Sequence, residues 1–226
     1  MLMHFYKYSD PPARMASAWV AVLIRRYFEI LFIMTSTMPV LLIAQENLQD
    51  PAEIARMTVN DVMTDMQTNQ AIYSADRSKL NEMVQQRLLP RFNFEVMTQL
   101  AVGRPWTQAT PAQKAELLNE FRMLLVRTYT NVLFSNRNQK TAVRSQATTA
   151  QGDVTIELEV SSASGVPVRL TLRMRAKDGD WKVIDVSVDG VSLIVNYRTS
   201  FAREITQSGI DGLIKSLAAK NRQNLE

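Results

Sequence analysis

The chain has 226 residues, no cysteine, a single histidine, His4, and a formal net charge of +4 at pH 7. Without cysteine there are no disulfides and no thiolate chemistry, and one histidine excludes imidazole pairs and most transition-metal sites. The charge is too mild for a nucleic-acid binder, which needs a concentrated basic face. What remains is the chemistry of apolar burial, so the chain reads first as a binder.

Residues 1–44 read as a leader. Arg25-Arg26 precede a mostly apolar run, Ile30 to Ile43, that ends in Ala44. A basic region, an apolar segment and a small residue make a secretory signal. Arg25, Arg26 and Glu29 break a stretch that would otherwise near the ~20 apolar residues of a membrane span. Residues ahead of Leu23 read as an overextended start. Cleavage near Ala44 would leave 182 residues, a single domain over 45–226, with a net charge of +2.

The first half after the leader is helical. Ile54, Met57, Asp61, Val62 and Met66 recur at spacings of three and four, as do Leu80, Met83, Val84 and Leu88. Ser74-Ala75-Asp76 breaks the run, with Asp76 or Ser78 as a cap, and Leu88-Leu89-Pro90 ends it. A short helix carries Phe92, Phe94, Met97, Leu100 and Ala101 and stops near Gly103. Thr110-Pro111-Ala112-Gln113 is a capping box with proline in the first turn. The helix it opens presents Leu117, Phe121, Leu124, Leu125, Thr128, Tyr129, Val132 and Leu133 on one broad face.

The period then changes to two. Val154, Ile156, Leu158 and Val160 alternate with polar residues, as do Val168, Leu170, Leu172 and Met174. Asp178-Gly179 signals a tight turn into a third strand, Trp181 to Val188. A weaker strand fits Thr141 to Ala147. A last helical region is expected from Val191, interrupted near Ser208-Gly209. Helices, then a meander, then helices make an α+β fold. We expect helices packed on a twisted antiparallel sheet of about four strands, with the arginine-bearing outer face wet.

Several stretches, in this order, resemble the MlaC proteins, also called the toluene-tolerance family. They are Leu88-Leu89-Pro90, Phe92 with Ala101–Gly103, Ala109 to Gln113 with Phe121, and Pro167-Val168-Arg169-Leu170. Further on come Asp180 to Val183, Asp189 to Ile194, and Gly209-Ile210-Asp211-Gly212-Leu213. The resemblance implies a soluble periplasmic carrier with an apolar lipid pocket between sheet and helices. Its cargo would be a glycerophospholipid, with no other cofactor. Its partners would be an outer-membrane lipoprotein–porin complex and an inner-membrane MCE-domain protein of an ABC transporter. That role maintains outer-membrane lipid asymmetry.

On positions matching the family, lipid contact is expected at Val168, Leu170, Leu172, Val186, Val188, Val191 and Ile194. Phe121, Leu125 and Tyr129 join them as long-helix residues that face the sheet. All ten also suit a plain core. Arg91, Arg104, Arg127, Lys140 and Tyr197 are head-group candidates, although exposed basic residues are mostly solvated surface. Asp185 is expected on the opposite, exposed face. The rival reading is a small pocket enzyme that uses Asp185 with Tyr129 or Tyr197, and a third is an envelope adaptor. No catalytic residue and no metal ligand is assigned.

Overall fold

The computed structural model describes residues 49–161 and 165–223; the leader lies outside them. Helix α1, Pro51–Thr68, starts at Asp50, whose carboxylate accepts from the Ala52 N–H. Two short helices follow, α2 (Gln70–Ala75) and α3 (Arg77–Met83). Asp76 caps α3 by accepting from the Ser78 N–H at 2.9 Å. The expected break at Ser74–Asp76 is present, and a second one falls at Asn69. Beyond Met83 the chain widens into a π turn, Val84–Leu88, then tightens into a 3₁₀ turn, Leu89–Arg91.

Helix α4 is Phe94–Val102 and α5 is Pro111–Ser135. The capping box is complete: the Gln113 N–H donates to the Thr110 hydroxyl, and the Gln113 side chain accepts from the Thr110 N–H. The strands are β1 (Thr141–Thr148), β2 (Val154–Val160), β3 (Val168–Lys177), β4 (Asp180–Val188) and β5 (Val191–Ser192). They form an antiparallel meander in the order β1-β2-β3-β4-β5. The fifth strand, two residues long, occupies what the sequence suggested was a helix start. Two-residue Asp-Gly loops make the last two hairpins. Asp178, Gly179, Asp189 and Gly190 all have positive φ, as a primed turn demands.

Helix α6, Leu193–Gln223, ends the described chain and is broken inside by Gly209, at φ 71° and ψ −175°. Only glycine occupies that region readily. Among the described residues no helix is long and apolar enough to cross a membrane.

Three cores result. One joins α4, α5 and α6 through Met97, Ala101, Leu117, Phe121, Phe201 and Leu217. A second packs Ile54 and Ala55 of α1 on Val154, Ile156, Leu158, Leu172, Met174 and Val183 of the sheet. The third gathers Val62, Met66, Tyr73, Leu80, Met83 and Phe134. The buried face of α5 turns between the first core and the third. Its second half therefore buries Thr130 and Phe134 and leaves Tyr129 and Val132 exposed, a correction to the single broad face read from spacing.

Candidate functional site

Residues directly opposite in a sheet point to the same face. Val143, Leu158, Leu170, Val188 and Val191 are successive register partners, so one apolar row crosses all five strands. Ile156, Leu172 and Val186 make the next row, and Val154, Met174 and Val183 the one beyond. This face is apolar throughout, yet its cover is uneven. Leu158 is fully buried, Leu170 is half-buried, and Val188 and Val191 are 47% and 67% exposed. Helix α1 covers the β2 side of the face; the β4–β5 side stays open.

The open part holds Val168, Leu170, Val186, Val188 and Val191, with Leu172 at its inner margin. Val195, on the first turn of α6, is also 56% exposed. Sequence reasoning did not single out Val195. The other candidates lie elsewhere. Phe121 is fully buried, edge-on to Tyr197 at 5.0 Å and to Phe201 at 5.2 Å between ring centroids. Leu125 and Ile194 share that helical core. Phe121 and Leu125 thus face α4 and α6, not the sheet, because the first half of α5 packs on those helices. Tyr129 is exposed and lies beside Tyr197; burial first, then Tyr129, pushes the Tyr197 hydroxyl up to about 12.

The polar candidates also resolve. Asp185 is buried, contrary to expectation. One oxygen accepts from the Ser192 hydroxyl at 2.6 Å and the other from the Ile194 N–H at 3.2 Å, so it fastens the start of α6 to β4. Arg91 pairs with Asp180 at 3.5 Å. Arg104 and Lys140 are exposed, and Arg127 is half-buried with one guanidinium nitrogen that has no partner. On the outer face Arg169 reaches Glu157 at 3.2 Å. Arg173 instead buries its Nε. Arg175 grips the buried Asp153 with bonds of 2.6 and 2.9 Å, which holds that carboxyl below its usual range. That face is only partly wet. Asp153 carried no sequence signal beyond its place after Gly152.

A cleft of about 570 Å³ opens between the start of α4 and the β3–β4 turn. Phe92, Phe94 and Leu118 line it together with Glu95, Arg122, Lys177, Asp180 and Lys182, so its lining is of mixed polarity. The open apolar face is the feature that needs an occupant, since contiguous exposed apolar surface marks a binding region.

Known proteins carry the same design. A family model described as MlaC protein matches residues 56–219. The intermembrane phospholipid transport system binding protein MlaC of Haemophilus influenzae is 26% identical over 171 residues, covering 74% of this chain and 80% of that one. Toluene tolerance protein ttg2D of Pseudomonas putida is 23% identical over 184 residues, covering 80% and 83%. A solved phospholipid-binding protein from Ralstonia solanacearum, in complex with a phospholipid, superposes with a TM-score of 0.72 at 32% identity, over 78% of this chain and 99% of that one. With the fold, the order of motifs and the family match in agreement, the chain belongs to the MlaC protein family.

Proposed function

We propose that this protein is a phospholipid carrier, and that the acyl chains lie on the open half of the sheet's apolar face. The observation that carries the reading is the row Leu158–Leu170–Val188–Val191, buried at one end and bare at the other. Each lipid methylene moved from water onto such a surface gains about 0.8 kcal/mol. Two acyl chains therefore supply a strong hold without any charged contact. Val168, Leu170, Leu172, Val186, Val188 and Val191 are the proposed wall. Phe121, Leu125 and Ile194 belong to the helical core and not to that wall.

Relatives named for phospholipid binding and transport support the lipid as cargo and a role without catalysis. The finer reading is a periplasmic shuttle, exported with its leader removed near Ala44. It would exchange lipid with an outer-membrane lipoprotein–porin complex and an inner-membrane MCE-domain protein. The Asp185 enzyme reading has little support, because both carboxylate oxygens are already engaged.

Native mass spectrometry of the protein, expressed as the full chain in a bacterium and purified without detergent, tests the proposal. Adducts that dissociate with phospholipid masses are expected. A lipid-free mass, with no phospholipid on solvent extraction, would overturn it.

A further inference from the structure

We propose that Leu172, backed by Ile54 of α1, is the stop that sets how long an acyl chain this protein accepts. The inference rests on the carrier reading and adds to it the determinant of chain-length specificity.

The apolar face changes character at one position. Along β3, Val168 and Leu170 are half-buried, Leu172 is 7% exposed and Met174 is 1% exposed. Across the sheet the same line appears. Val186 is half-buried beside Leu172, and Ile156 on its other side is fully buried. Cover therefore begins at Leu172.

The cover is α1. Ile54 and Ala55 are both buried and share one core with Ile156, Leu158, Leu172 and Met174. A chain advancing from the β4–β5 end crosses Val188 and Leu170 and then meets the Leu172 side chain, with α1 behind it. The run from Val168 to Leu172 offers about 13 Å of strand. Beyond that, protein interiors are packed as densely as crystals, so hydrocarbon advances only where a side chain is absent. A branched Leu at the margin and a branched Ile on the helix make a blunt end.

The test is the acyl-length distribution of the lipid each variant of the full chain carries after incubation with vesicles of mixed phosphatidylglycerols of short, medium and long chains, read by mass spectrometry. Leu172→Ala and Ile54→Ala are each expected to shift the bound population toward longer chains. Val188→Ala, at the open end, should change total loading and not the length distribution. Ile54→Val, one methylene smaller, is the gentler variant should an alanine fail to fold, and it should shift the distribution in the same direction by less. An unchanged distribution in loaded, folded Leu172→Ala and Ile54 variants would overturn the stop. An unmutated protein that takes up no lipid would instead overturn the carrier reading.

Discussion

The Asp185 carboxylate accepts a hydrogen bond from the Ser192 hydroxyl at 2.6 Å, across the β4–β5 hairpin. Its other oxygen takes the Ile194 N–H. A carboxylate that had looked available for acid–base work is thus the bracket between sheet and α6. Asp185→Ala strands the buried Ile194 N–H and is expected to lower stability by about 1–3 kcal/mol. Lipid loading of the folded fraction should persist. Urea melts with lipid extraction check both; loss of all lipid from a well-folded variant would move Asp185 into the binding site.

Val168→Arg and Val191→Arg probe the open face. Val191 is largely exposed, so a charge there should change stability by no more than about 0.5 kcal/mol. Bound lipid should nonetheless fall sharply, because a guanidinium on the hydrocarbon path must be desolvated. Full loading in both folded variants would show the wall to lie elsewhere.

Local chemistry made much of this fold legible. The Thr110–Gln113 box, the Asp178-Gly179 turn and the alternation of β2 and β3 each follow from a rule that acts within a few residues, and each is present. The long-range choices were not legible. Spacing could not tell that α5 serves two cores, because Tyr129 and Phe134 look equally apolar in sequence. Nor could alternation show Asp185 as buried: a cap is decided by where α6 arrives. The candidate residues on the strands fell on one face because period two fixes that face. The candidates on helices did not join them, since a helix can turn its stripe toward any neighbour.

Asp153 offers a pH test. The bidentate bond from Arg175 keeps its carboxyl below the ordinary aspartate range. A folded-state pKa lower than the unfolded one adds stability above the unfolded pKa, and that stability is lost as pH falls through the folded value. Asp153→Asn should therefore melt lower than the unmutated protein at pH 7, by an amount equivalent to about 2 kcal/mol. The difference should shrink as pH drops below about 4. A gap that stays constant down to pH 2 would deny the pair its electrostatic role.

Gly209 is needed for its backbone and not for space. A Cβ there would touch nothing within 4 Å, but φ is +71°. Gly209→Ala should cost about 1–3 kcal/mol through strain alone. Gly212 is the reverse case: φ is ordinary, and a Cβ would overlap the Ser208 Oγ at 2.1 Å. Gly212→Ala should be destabilising and partly rescued by Ser208→Gly, whereas that second change should not rescue Gly209→Ala. Thermal melts of the four variants separate the two causes.

The Gln113 side chain that completes the α5 cap also donates to Asp211, and the Asn221 amide reaches back to Glu120. These partners stand 98 and 101 residues apart in the sequence. The core around Leu117 and Phe121 is closed by Phe201, Leu213 and Leu217, which a ribosome makes long after the helices they cover. Until then that apolar surface has only α4 to pack on. Such distant contacts slow folding, since the loop must close before they stabilise it. During synthesis this helical core therefore stays open until residues 201–217 have emerged, while the cores that end at Phe134 and Val183 have all their members earlier.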